Sequence, residues 1–225
     1  MTTDLDMLVA ERAAQISERI ANVTRRIAEA GGSDAVQLLA VSKGHDQVAV
    51  RAAAHLGLTM LGENYAQELQ AKAQALADDA ISMNWHFIGQ LQTNKVRVVA
   101  EHVHTWQSVD RLKVAREIAK RAPGARAFAQ VNLSPATNKA GCSFDELDEL
   151  VATMGDLDLD VQGLMGVGSA GDDEETKRGF DALRHAVDRL GLQECSMGMT
   201  GDLELAVAAG STMVRVGTDV FGPRP

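Results

Sequence analysis

The sequence predicts an α/β protein: a single (β/α)8 TIM barrel with an extra N-terminal helix. Strand-like and helix-like stretches alternate eight times between residues 36 and 222. The strand-like stretches are short, unbroken apolar runs, the mark of strands covered on both faces. The eight units are near-equal, with no linker or shift in composition to start another domain. Such alternation demands parallel strands joined by right-handed crossovers, which leaves an open doubly wound sheet as the alternative to closure. Residues 1–225 are expected to form one domain, with the helix in 1–32 and the barrel in 36–222.

Val9, Ala13, Ile16, Ile20, Val23 and Ile27 recur in steps of four and three, one stripe of a long helix that Gly31 and Gly32 end. Leu38, Leu39, Ala40 and Val41 form the first strand, and Ser42, Lys43 and Gly44 break it. A helix follows over residues 46–56, then a second strand in LTMLGEN and a helix over 66–77. Residues 85–89, WHFIG, read as the third strand, with a helix through Lys95 and Val99 behind it. His104, Thr105 and Trp106 give the fourth strand, after which Ser108 is expected to cap a helix. The fifth strand falls at 127–132, and Ser143 with Glu146 forms a capping box for its helix. Strands at 159–164, 194–197 and 213–216 complete the set, with helices at 172–190 and 202–209 between them.

Composition narrows the function. The chain has 225 residues, 45% of them hydrophobic, a net charge of −9, two cysteines and one tyrosine, Tyr65. An excess of acid argues against a nucleic-acid partner, whose phosphates are held by clustered Lys and Arg. The start, MTTDLDMLVAERAA, places acids where a signal peptide has bases, and no apolar run nears the roughly 18 residues of a membrane span. A cytoplasmic protein with Cys142 and Cys195 as free thiols is expected. Neither cysteine has metal-ligand spacing, no HxxE, HExxH or CxxC cluster occurs, and no metal is expected. An acidic surface without an obvious apolar exposed helix points to a monomer.

In a barrel the carboxyl ends of the strands converge on one mouth. That brings together Lys43, Asn64, His86, Gly89, Asn132, Met165, Ser196 and Arg215. A lysine amine held against apolar walls loses hydration, which frees its lone pair for Schiff-base chemistry, although a strand-end lysine more commonly reaches into solvent. The glycine-bearing loops SMGMTGD and VGTDVFG follow strands seven and eight, where barrels bind phosphate; either could equally be an ordinary turn with Thr200 as a cap. Strand alternation points Arg215 toward the same place, unless it is a structural ion pair. Gly166, Gly168 and Gly171 spell GxGxxG, but Asp172, Asp173, Glu174 and Glu175 would repel a pyrophosphate there. His86 is a core histidine or an acid/base.

The series AVSK (40–43), GEN (62–64), WHFIGQLQTNK (85–95), SVDR (108–111), QVN (130–132), GLM (163–165), SMGMTGDLE (196–204) and GSTMVRVGTDVFG (210–222) closely resembles the pyridoxal phosphate homeostasis proteins, in order over nearly the whole chain. The resemblance implies a barrel similar to the N-terminal domain of alanine racemase, with pyridoxal 5′-phosphate at the mouth as an internal aldimine. It implies Lys43 as the Schiff-base lysine and Asn64 beside the ring. Ser196, Met197, Thr200 and Gly201 would line the side of strand seven, Gly217 and Thr218 would hold the phosphate, and Arg215 would face the pyridine nitrogen. The 134–141 loop, SPATNKAG, and Gly44-His45 depart from the family's usual serine-rich loop and threonine-lysine pair.

Three functions follow as expectations. The first is a non-catalytic carrier that holds the cofactor for intracellular homeostasis and delivers it to apo-enzymes. The chain ends soon after strand eight, without the second domain that supplies a racemase with its tyrosine, and this favours holding over turnover. The second is a racemase-like enzyme using the same lysine. The third is a cofactor-free barrel enzyme acting on a small phosphorylated substrate.

Overall fold

The structure is a computed structural model that describes residues 4–134, 140–169 and 171–224. Eight parallel strands close into a barrel in sequence order, β1 pairing with β8, so the open-sheet alternative does not hold. The chain opens with α1 (Asp4–Glu29), then β1 (Gln37–Val41), α2 (Gln47–His55), β2 (Met60–Glu63) and α3 (Ala66–Asp78). It continues through β3 (Asn84–Phe87), α4 (Thr93–Val99), β4 (Val103–Val109), α5 (Leu112–Arg121), β5 (Arg126–Val131) and α6 (Phe144–Asp156). The last elements are β6 (Asp160–Gly166), α7 (Asp173–Arg189), β7 (Glu194–Ser196), α8 (Leu203–Ala208), β8 (Met213–Val216) and the four-residue α9 (Thr218–Phe221).

The core is a sleeve between barrel and helices, where Leu61, Leu69, Leu76, Phe87, Trp106, Ile118 and Phe180 are fully buried. Each such side chain contributes about 1.5–3 kcal/mol by leaving water. In α1 the stripe packs as its spacing predicts, with Ala13, Ile16, Val23 and Ile27 buried and Val9 and Ile20 at its margins. The helix lies against α2, α8 and α9 and turns out through Gly31, whose φ of +89° is left-handed.

Two loops of the mouth are tied to α1. Arg26 pairs with Glu204 at 2.6 Å and with Asp219, and donates to the Thr200 carbonyl at 3.0 Å. Arg12 donates to the Phe221 carbonyl at 2.5 Å.

Ser108 corrects the sequence reading. It lies inside β4, buried, and its hydroxyl donates to the Gly89 carbonyl at 2.5 Å, while the following helix starts at Leu112 behind Arg111 with no side-chain cap. A serine just before a helical pattern suggests a cap, but β4 continues past Trp106 because Gln107 and Ser108 find polar partners inside the fold. The capping box of α6 is present, Ser143 and Glu146 bonding reciprocally. Ser143→Ala should therefore cost about 1 kcal/mol in a urea unfolding measurement, and no loss would mean that water satisfies the helix end equally well. In α7 the Asp172 side chain accepts from the Glu175 N–H at 2.8 Å, so the GxGxxG stretch leads into a helix end already filled by carboxylates. Residues 135–139, most of the divergent loop and Lys139 with it, lie outside the described residues.

Candidate functional site

At the carboxyl ends of the strands lies a cavity of about 470 Å³, lined by Val41, Lys43, Asn64, Ile88, Met165, Val167, Met199, Thr200, Gly201, Arg215, Gly217, Thr218 and Arg224. Its chemistry is one-sided. In a chain of net charge −9, the wall carries three cations and, among the described residues, no carboxylate, imidazole, thiol or phenol. That selects an anion. Val41, Ile88, Met165, Val167 and Met199 supply an apolar surface suited to a flat ring, and Thr200 and Thr218 supply hydroxyls. A larger hollow, near 660 Å³, lies along Glu18, Arg19, Ala21, Asn22 and Arg25, but these belong to one mostly exposed face of α1 and converge on nothing.

Lys43 stands two residues past the end of β1 and is half-buried. Burial lowers its pKa below that of an ordinary lysine, and the nearby Arg224 and Arg215 cations push the same way against the Glu63 carboxylate. A larger share of neutral amine results. Arg224 is close because Gly44 lets it be: Gly44 has φ +72°, and a Cβ there would sit 2.7 Å from the Arg224 Cδ. Beside Lys43, the Asn64 side-chain oxygen is buried with no hydrogen-bond partner. A buried orphan acceptor is costly unless a ligand supplies the donor. Gly89 lets the β3 loop pass over this residue, since a Cβ at Gly89 would fall 2.0 Å from the Asn64 carbonyl oxygen.

Arg215 is fully buried and aimed across the barrel. It donates to the Ser196 hydroxyl at 2.8 Å and to the Gly166 carbonyl at 2.7 Å. Burial lowers its pKa to about 10, with Asp202 acting against the shift, so it stays charged at neutral pH.

Seven of the nine residues singled out from the sequence thus share one wall: Lys43, Asn64, Thr200, Gly201, Arg215, Gly217 and Thr218. Ser196 and Met197 do not reach it. Strand β7 ends at Ser196, whose side chain lies below the wall between Arg215 and the Gln107 oxygen at 2.8 Å, and Met197 is buried against Cys195. His86, Gly89 and Asn132 also stay out of the wall. His86 occupies the opposite end of the barrel with Gln37, His104, Arg126 and Met213. Sequence reasoning missed Arg224, which no periodicity marks, and Ile88, Val167 and Met199, which read as ordinary loop residues. Among the described residues no group of three or more His, Cys, Asp or Glu side chains could hold a metal, and no helix is long and apolar enough to cross a membrane.

Comparison with known proteins bears on this cavity. The model of the alanine racemase N-terminal domain matches residues 14–225. The Pseudomonas aeruginosa pyridoxal phosphate homeostasis protein is 41% identical to this chain, the match covering 93% of this chain and 96% of that protein. The chain belongs to the pyridoxal phosphate homeostasis protein family. The Escherichia coli member of that homeostasis family is 36% identical over 96% of this chain and 97% of its own. PipY of Synechococcus elongatus, solved with PLP bound, superposes with a TM-score of 0.82 at 35% identity, covering 92% of this chain and all of PipY. Alanine racemase from Clostridium difficile shares the fold at a TM-score of 0.73 and 15% identity, the match spanning 57% of that longer chain. The homeostasis-protein barrel is thus the racemase barrel in architecture.

Proposed function

We propose that this protein holds pyridoxal 5′-phosphate covalently on Lys43 for intracellular homeostasis of that cofactor, without turning over a substrate. The observation that carries the reading is the wall itself: three cations, with Lys43 the only amine among the described lining residues. Two-base racemisation of a substrate carbon needs a second acid or base on the other face. Tyr65, the single tyrosine, is about half exposed and does not line the cavity. The racemase alternative lacks that group, and it rests on a fold likeness at 15% identity.

Each residue has a task in this reading. Lys43, whose neutral amine is a nucleophile, would hold the aldehyde carbon covalently, with one water released and no oxidant or reductant needed. Asn64 offers its orphaned oxygen to a ring hydroxyl. Thr200, Gly201, Gly217 and Thr218, with Arg224, would hold the phosphate, and Arg215 would face the ring nitrogen; all six line the cavity. Ser196 serves by fixing Arg215, and Met197 is buried against Cys195. When bound, the cofactor supplies an electron sink, and a permanently charged guanidinium at its ring nitrogen weakens that sink.

We further propose that residues 1–225 act as one domain and a monomer in the cytoplasm, where the buried Cys142 and Cys195 thiols stay reduced, and that apo-enzymes receive the cofactor. Borohydride reduction of the loaded protein and peptide mapping should place the label on Lys43, with no D-isomer formed from a panel of L-amino acids. A label spread over surface lysines, or racemisation, would refute the reading.

A further inference from the structure

Beneath Lys43 lies an ion cluster that the cavity does not use. Lys72, on α3, is 4% exposed and its ammonium has three partners: the Ser42 carbonyl at 2.8 Å, Glu63 Oε2 at 2.6 Å and Glu68 Oε2 at 3.0 Å. Glu63 ends β2 and is fully buried. Burial raises its pKa, and Lys72 opposes that shift. Removing two charges from water is expensive, and well-packed apolar side chains often do as well or better for stability. What distinguishes this cluster is what it touches.

Ser42 carries the carbonyl just before Lys43, and that carbonyl accepts from Lys72. Gly44 carries the N–H just after it, and that N–H donates to Glu68 Oε2 at 2.8 Å, the oxygen that Lys72 also holds. The peptide groups on both sides of Lys43 therefore end on one ammonium and its carboxylate. Glu63 extends the grip, because its Oε1 accepts from the Asn64 N–H at 2.7 Å while its Oε2 takes Lys72 and the Ser42 hydroxyl, the latter at 3.3 Å. Two lining residues from different strands are thereby set by one cluster.

We infer that Lys72, clamped between Glu63 and Glu68, is a positioning residue that aims the Lys43 amine at the aldehyde carbon. This rests on the reading of Lys43 as the covalent attachment point. Without the clamp, the Lys43 backbone, next to a glycine in the left-handed region, swings away from the ring while the loops after β7 and β8, tied to α1 and not to α3, keep their shape. Attachment then suffers far more than non-covalent recognition, which keeps most of its contacts in the loops after β7 and β8.

The test uses the full chain with two probes. Pyridoxal 5′-phosphate reports attachment through its visible absorption, and pyridoxine 5′-phosphate, which has an alcohol where the aldehyde would be, reports the cavity through calorimetry. Lys72→Met and Glu68→Ala should each slow attachment about tenfold or more, since small misplacements of a reacting group have effects of this order or larger. The affinity for pyridoxine phosphate should change by less than about twofold, well below the tenfold that 1.4 kcal/mol represents. Glu68→Gln, which keeps an acceptor for the Gly44 N–H, should recover most of the rate. If Lys72→Met does not fold, the half-buried Glu68 pair of variants carries the test. Unchanged attachment overturns the inference, as does equal loss with both probes, which would make the cluster structural only. A wild type that binds the phosphate but takes no label on Lys43 overturns the attachment reading and this inference with it.

Discussion

Lys43→Ala protein incubated with pyridoxal 5′-phosphate and freed of unbound cofactor should be colourless, take no borohydride label, and bind at least about a hundredfold more weakly than wild type, or ~2.7 kcal/mol. The covalent bond is the one contact that the remaining wall cannot replace. In wild type the attachment rate should rise with pH to a midpoint below the ordinary lysine value of 10.5, because only the neutral amine attacks and burial, with Arg224 and Arg215, lowers the Lys43 pKa. Folding is not at risk. A half-buried ammonium facing two guanidinium groups is disfavoured, so the variant should melt at or slightly above the wild-type temperature without ligand. Colour retained by Lys43→Ala would move the attachment to another lysine.

Acid should unfold the protein partly through His86. Its ring is buried, its Nδ1 lies 2.7 Å from the Gln107 amide nitrogen, and Gln107 is oriented by the Ser196 hydroxyl on its oxygen. Gln107 therefore donates, Nδ1 accepts, and the imidazole is held neutral. Burial, then His104 and Arg126, lower its pKa from 6.5 to about 3. Above pH 6.5 both folded and unfolded chains leave this ring neutral. Below it the unfolded chain takes up a proton that the folded one refuses, so stability falls with pH until about 3. At a pH near 4.5 the loss from this group is about 2–3 kcal/mol. Urea unfolding at neutral and acid pH should show it in wild type and not in His86→Asn, whose oxygen can still accept from Gln107. Equal acid losses in both would mean that the ring is protonated in place.

The barrel was legible because its strands are short apolar runs ended by polar or glycine residues, and burial on both faces leaves little room for other patterns. Lys43, Asn64 and Arg215 were legible for a related reason: a strand end fixes which residues face the mouth. Ser196 failed on the same rule, since a three-residue strand fixes its own end poorly and one residue more or less decides between wall and floor. His86 failed because inward-facing residues at the two ends of a strand obey the same alternation, and His86 faces the end remote from the cavity. Arg224 was invisible, since its place depends on the space over Gly44. Lys72 left a trace: it stands three residues after Leu69 and four before Leu76, a charge on the buried stripe of α3. A lysine there calls for a buried carboxylate, and Glu63 was the nearest strand-end acid.

The α1 contacts described above also bear on how the chain is made. Arg12 precedes Phe221, whose carbonyl it holds, by 209 residues, and Arg26 precedes Thr200 by 174, with Glu204 and Asp219 further on. Sequence separations near the full length of a chain are the slowest to close. Helix α1 can therefore dock fully only after residues 200–221 have been made, and the loops that would hold the phosphate take their final shape only with it in place. A nascent chain that displays Lys43 but not yet residues 200–221 has only one side of the cavity wall.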